Sequence, residues 1–138
     1  MFFDNSFGQT LDILHRTMDT NLLRQNVISN NIANADTPNF KRSEVNFETQ
    51  LREALEGPSE PRFTAALTNE QHIPFRQPMD YQDVRPTRFL DHQTTSDNNG
   101  NNVDIEQESM NLLNNELMYT LLTNSVSSQL SRVNRVLQ

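Results

Sequence analysis

Residues 29–42 have the sequence Ser-Asn-Asn-Ile-Ala-Asn-Ala-Asp-Thr-Pro-Asn-Phe-Lys-Arg, and this stretch decides where the first long helix of the chain ends. Its asparagine and aspartate side chains hydrogen-bond to nearby backbone groups and therefore compete with helical hydrogen bonds. Pro38 also disfavours the helical conformation for Thr37. The stretch predicts a helix C-terminus followed by a turn, and on spacing alone it is an ordinary helix end.

The residues before this stretch predict one long amphipathic helix over about residues 7–33. Ser6 and Gln9 have the spacing of a capping box at its start. Such a helix is about 40 Å long, which is excessive for a compact domain of 138 residues. Apolar residues recur at three- and four-residue steps, and the candidate assembly residues are Leu11, Leu14, Met18, Leu22, Ile28 and Ile32.

The last segment, residues 101–138, predicts a second long helix. Asp104 is a good N-cap, and Glu106 and Glu108 favour the first turn through the helix dipole. Leu112 begins one apolar stripe and Met110 another beside it, so the apolar surface is wide enough to contact more than one helix. The candidate assembly residues here are Leu113, Leu117, Tyr119, Leu121, Val126, Leu130, Val133 and Leu137.

The chain is predicted to be mainly α-helical, with two long terminal helices packed as an antiparallel, coiled-coil-like pair around an irregular middle segment that contains prolines. The segments are residues 1–43, a helix and bend; 44–57, a short amphipathic helix; 58–100, irregular or partly disordered with a few short strands; and 101–138. The apolar stripes of the two helices are explained either by core packing within one bundle or by packing between subunits. The shortage of other helices to cover them favours assembly.

Composition limits the possible partners. A net charge of −7 argues against nucleic acid, whose phosphates need clustered lysine and arginine. The chain has no cysteine and therefore no disulfide bond to stabilise it. No apolar run has the length of a membrane span. The first residues lack the pattern of a cleaved secretory leader, so export, if it occurs, is expected to use another route.

No arrangement of residues predicts catalysis, a cofactor or a metal. His72 and His92 lack a third ligand at a useful spacing. Residues 95–106 resemble a calcium loop, but Thr95 occupies the position where aspartate begins such loops. An Asx-rich turn is the simpler interpretation, and a calcium-regulated protein remains a remote alternative.

Residues 29–42 resemble the N-terminal signature of the flagellar axial proteins, the rod and hook subunits. Leu23–Ile28 before it and Arg42–Glu48 after it are similar to the flagellar basal-body rod proteins of the proximal rod (FlgB) family, and so is the pattern from Asn101 to Tyr119. The similarity covers roughly the first 57 and last 38 residues. The chain departs from the pattern at Asn39, where glycine is common, and in the serine- and asparagine-rich end of its last helix.

The resemblance implies a structural, non-enzymatic subunit of the bacterial flagellar rod that self-assembles into a helical tube, transmits motor torque and surrounds the export channel. It implies partners among other copies, other rod proteins, the rod-base adaptor, the inner-membrane ring and the type III export apparatus. The implied location is the periplasmic rod of the basal body, reached without a cleaved leader. The signature bend would consist of Asn30, Asn31, Ala33, Asn34, Thr37, Pro38 and Phe40. Another rod subunit, or a soluble helical export chaperone or adaptor, is the alternative.

Overall fold

The computed structural model describes residues 5–57, 68–69, 71–73, 79–92, 94 and 99–137. The chain divides into two compact units. The first consists of Met1–Val45 and Arg88–Gln138, and the second of Asn46–Thr87. Within the described residues, no helix is long and apolar enough to span a membrane. The predictions for residues 58–67 and for Thr95 of the calcium-like loop lie outside the described residues.

The first helix, α1, spans Ser6–Ala33. Its N-cap is Asn5, whose Oδ1 accepts a hydrogen bond from the Gly8 amide at 2.8 Å. The predicted capping box based on Ser6 is therefore wrong by one residue, because Ser6 is already helical. The helix ends at Asn34, whose amide donates to the carbonyls of Asn31 and Ile32, so the helix stops within the predicted stretch.

The last helix, α3, spans Ile105–Val136 and begins at the predicted N-cap. Asp104 Oδ1 accepts from the amides of Glu106 and Gln107 at 2.9 and 3.1 Å. The two long helices pack closely against each other. They are antiparallel, because Asn31 bonds to Glu108 near one end while Asn21, earlier in α1, bonds to a residue later in α3. This architecture confirms the predicted fold class.

The interface between α1 and α3 contains an unusual share of polar side chains. The buried apolar residues of α1 are only Val27 and Ile28, each at most 5% exposed, within the described part of the chain. Polar residues are buried at the same interface: Thr20, Asn21, Asn31, Glu108 and Asn115. Asn115 Nδ2 donates to the Asn21 carbonyl at 2.9 Å, so the helices are joined by hydrogen bonds as well as by apolar contact.

A two-stranded sheet follows the bend, formed by β1 (Ser43–Asn46) and β2 (Thr87–Leu90). β1 was not predicted, and residues 44–46 were expected in the short amphipathic helix; that helix, α2, spans Glu48–Glu56. The strand forms because the backbone of Ser43 is bonded to a side chain of α1 and cannot enter a helix. In the second unit, α2 packs on a short 3₁₀ helix, Tyr81–Asp83.

Asp104→Ala tests the N-cap of α3. The substitution removes the side-chain acceptor for two first-turn amides, so we expect the free energy of unfolding to fall by about 1 kcal/mol. Urea unfolding followed by circular dichroism measures the change. Ser109→Ala, at an exposed helical position, is the control and should shift stability by less than about 0.5 kcal/mol. Equal stability of the Asp104→Ala protein and the wild type would contradict the assigned cap.

Candidate functional site

Asn101 holds the bend that follows α1. Its Nδ2 lies within hydrogen-bond distance of three bend carbonyls, those of Asn34 (2.9 Å), Ala35 (2.7 Å) and Thr37 (2.8 Å). Its Oδ1 accepts from the Val103 amide at 2.7 Å, just before α3 begins. The side chain is fully buried. One amide group therefore satisfies the carbonyls freed at the end of α1 and ties them to the start of α3.

The backbone around this amide needs two left-handed residues. Asn39 has φ 59° and Gly100 has φ 79°, and the Asn39 amide donates to the Asn99 carbonyl at 3.0 Å. Asparagine tolerates this conformation better than other residues with a Cβ atom. Asn39 therefore replaces the glycine common in related signatures at little conformational cost.

A second buried asparagine, Asn31, joins three elements. Its Nδ2 lies 2.9 Å from the Ser43 carbonyl and 3.1 Å from Glu108 Oε2, and its Oδ1 accepts from the Ser43 amide at 3.0 Å. Its side chain is 0% exposed. Both backbone groups of Ser43 are thus held by a side chain of α1, and the same amide contacts a carboxylate of α3.

Arg42 and Asn102 extend this network. Arg42 NH2 lies 2.9 Å from Glu108 Oε1 and 3.0 Å from Glu44 Oε1. The Arg42 amide donates to Asn102 Oδ1 at 2.7 Å, and Asn102 Nδ2 donates to the Asp91 carbonyl at 2.8 Å. The bend, the strand after it and the segment before α3 are held by charge-assisted and amide hydrogen bonds together.

The Glu108 carboxylate is the electrostatic centre of the site. Its side chain is 1% exposed, and its charge is balanced by the Arg42 guanidinium, whose side chain is 13% exposed. Oε1 makes a close ion pair with Arg42 but no hydrogen bond of good geometry with any described residue. Glu108, like Glu106, was expected only to favour the first turn through the helix dipole. That assignment is wrong for Glu108, because a dipole contact does not require burial.

The predicted signature-bend residues divide into two groups. Asn31 is buried, whereas Asn34 and Phe40 are half-buried. The exposed residues of the set are Asn30, Ala33, Thr37 and Pro38. Ala33 is exposed, and the small buried residue of the bend is Ala35, two positions later and 6% exposed. Asn31 is the member of this set whose hydrogen bond to Glu108 connects the bend to α3.

The predicted assembly residues also divide into two groups. The half-buried or buried set is Leu11, Leu14, Met18, Ile28, Ile32, Tyr119, Val126 and Val133. The exposed set is Leu22, Leu113, Leu117, Leu121, Leu130 and Leu137. The residues of the first set are at least partly removed from solvent within the single chain. The second set has apolar surface that the described chain leaves open.

Sequence reasoning missed the roles of Asn101, Asn102, Arg42 and Glu108, although it noted them as part of a resemblance. Two consecutive asparagines, separated from the N-cap Asp104 only by Val103, were the available signal, since buried amides serve as bridges between backbone groups. His15, His72 and His92 are exposed. Among the described residues, no three histidine, cysteine or acidic side chains are grouped so as to hold a metal ion.

The chain forms two long antiparallel helices that are linked by buried amide side chains and that leave several large apolar side chains of α3 exposed. These features define a helical structural subunit. The family model described as "Flagella basal body rod protein" matches residues 11–41. The chain is 42% identical over 134 residues to the flagellar basal body rod protein FlgB of Borreliella burgdorferi, covering 97% of this chain and 99% of the relative. The FlgB of Borrelia hermsii is 40% identical over 134 residues with the same coverage, and that of Bacillus subtilis is 30% identical over 131 residues, or 95% of each chain.

The chain therefore belongs to the FlgB family of flagellar basal body rod proteins. The alternative of a soluble export chaperone or adaptor has no support among these relatives, since each is named a rod protein. The family is a structural one, and its identification confirms the resemblance that residues 29–42 showed.

Asn101→Ala tests the amide that holds the bend. The substitution leaves three bend carbonyls and one amide without their side-chain partner, so we expect a loss of about 3 kcal/mol in the free energy of unfolding. Hydrogen exchange should rise at the Val103 amide in particular. Asn124→Ala, at an exposed position of α3, is the matched control and should be near neutral. Unchanged protection of Val103 would show that the bend does not depend on Asn101.

Glu108→Ala and Glu106→Ala form a matched pair that separates the buried ion pair from the helix dipole. Glu108→Ala leaves the Arg42 guanidinium with only the more exposed Glu44, so stability should fall by about 3 kcal/mol. Glu106→Ala removes only an exposed first-turn charge and should cost roughly 0.5 kcal/mol. Chemical unfolding of both variants measures the difference, and equal losses would contradict the network.

Proposed function

We propose that this structural subunit of the flagellar basal body rod self-assembles into a helical tube through the exposed faces of its two terminal helices. Family membership supports the rod assignment. The observation that carries the assembly argument is a row of apolar side chains on α3, each more than half exposed: Met110 (59%), Leu113 (51%), Leu117 (56%) and Leu121 (61%). We call these four residues the outer row.

The outer row lies on one face of α3 because its members are spaced by three, four and four residues. α1 does not cover it, since the buried residues of α3, Glu108 and Asn115, lie on a different side of the helix. A contiguous apolar face of this kind marks an interaction site on a folded chain. In a rod, the helices of neighbouring copies would bury it, with about 25 cal/mol gained for each Å² of apolar surface removed from water.

The buried amide network supports the same function in a different way. A subunit that transmits torque must hold its segments at fixed angles. Asn31 and Asn101 connect the end of α1, the bend and the start of α3 with hydrogen bonds shorter than 3.2 Å. Buried, well-satisfied networks rigidify a structure because any rotation leaves several polar groups unpaired. The signature bend thus fixes the direction of the chain, and the exposed stripe residues provide contacts between subunits.

The family context extends this proposal to partners and location. The subunit would contact other copies, other rod proteins, and the adaptor and inner-membrane ring at the rod base. It would reach the periplasmic part of the basal body through the flagellar type III export apparatus without a cleaved leader, and the assembled tube would surround the export channel. It would act without catalysis, cofactor or bound metal.

Leu117→Asp tests the assembly role of the outer row. A charge at the centre of a packed apolar interface is costly to bury, so the variant should be made and exported but should fail to enter rods, and motility should be lost. Leu117 is exposed in the single chain, so the helix content seen by circular dichroism should not change. Ser127→Asp places the same charge at an exposed polar position of α3 and should preserve motility. Full motility of the Leu117→Asp strain would refute the assembly role of this face.

A further inference from the structure

A cleft of about 360 Å³ lies between α1 and the first half of α3, within the first compact unit. Val27, Ile28, Val45 and Met118 form its apolar walls. Its polar walls include Glu108 and Asn115, which are 1% and 6% exposed. The network described above uses one edge of this cleft, but nothing in the proposed role of the outer row uses the cleft itself.

Three buried polar atoms of the cleft-lining residues have no hydrogen-bond partner among the described residues. Two are acceptors, Glu108 Oε1, which has only its ion pair with Arg42, and Asn115 Oδ1, and one is a donor, Arg42 Nε. Asn115 uses its Nδ2 to bond the Asn21 carbonyl, so its orientation is fixed and its Oδ1 remains available. Buried acceptors without donors are rare because each costs about 1–3 kcal/mol. They indicate an occupant that presents hydrogen-bond donors.

The charges around the cleft favour a basic occupant. The two cations in its walls are already engaged within the unit: Arg24 donates to Asn21 Oδ1, and Arg42 forms ion pairs with the carboxylates of Glu44 and Glu108. Residues 101–116, which begin α3 beside the cleft, carry four acidic residues and no lysine or arginine. A positively charged, partly apolar segment would therefore complement both the charge and the walls.

The end of α3 has these properties. Residues 117–138 contain two arginines, Arg132 and Arg135, and no acidic side chain. Val136 and Leu137 are 86% and 78% exposed, more than any residue of the outer row. A guanidinium has five donors and no acceptor, which matches acceptors that lack donors. The last turns of α3 in one chain thus present hydrogen-bond donors for the acceptors that lack them in the cleft of another chain.

We infer that the C-terminal end of α3, Arg132–Leu137, docks into this cleft on a second copy of the chain. The contact is head-to-tail, since each copy contributes its cleft to one neighbour and its helix end to another. Head-to-tail contacts that do not close into a ring generate helical filaments. The inference rests on the proposed assembly into a rod, and it assigns a particular contact to that assembly, distinct from the outer row.

Crosslinking in purified basal bodies tests this contact, because the chain has no cysteine and the engineered thiols are the only ones that it carries. The variant Asn114→Cys/Val136→Cys places one thiol at the cleft and one at the helix end. Along an intact helix these positions are about 33 Å apart, so a short bismaleimide joins them only between copies. We expect a ladder of dimers, trimers and larger species on a denaturing gel, whereas each single-cysteine variant should give no ladder.

Thr120→Cys/Val136→Cys is the matched control, since Thr120 is exposed on α3 but does not line the cleft. A ladder of equal intensity from this pair, or no ladder from the cleft pair in rods that contain it, would overturn the inference. If the first double variant does not enter rods, Asn111→Cys/Leu137→Cys probes the same contact and decides the question by the same ladder. Absence of the wild-type chain from purified rods would instead refute the proposed function.

Discussion

The buried amide of Asn31 is the contact on which the rest of the first unit depends. It is fully buried, bonds both backbone groups of Ser43, and reaches the carboxylate of Glu108. Segments 12 and 77 positions further along the chain thus meet α1 at this one side chain. An apolar residue of similar size could fill the space but could not satisfy the Ser43 backbone, which would then be buried without partners. The amide therefore specifies the direction of the chain as well as the packing of the helices.

The polar character of the helix interface follows from the same principle. A pair of long helices held by apolar residues alone can slide by a turn with little loss, because one leucine replaces another. Asn21, Asn31, Glu108 and Asn115 make that sliding costly, since each bond between them fixes one register. For a subunit that must transmit force along a tube, a fixed register is more useful than additional apolar burial.

The two ends of α3 have different chemical characters, and this asymmetry suits a helical assembly. The beginning is acidic and anchored in the amide network; the end is basic, apolar and exposed. The outer row along the middle adds a lateral apolar surface. A chain with distinct head, tail and side surfaces has the contacts that a continuous tube needs, whereas a closed dimer needs only one self-complementary patch.

The sequence by itself determined the two long helices, their apolar stripes, the Asp104 cap and the point where α1 ends, because these depend on local spacing and on side chains that bond to their own backbone. The residue pattern of positions 29–42 also indicated the family. Only the tertiary structure decided that β1 is a strand, that Glu108 is a buried ion-pair partner and that Asn101 holds the bend. The bonds from Asn101 to the bend join residues 64 to 67 positions apart, and the bond between Asn31 and Glu108 joins residues 77 positions apart. No local pattern encodes such pairings, since an asparagine or glutamate has the same intrinsic preferences whether it faces water or a distant carbonyl.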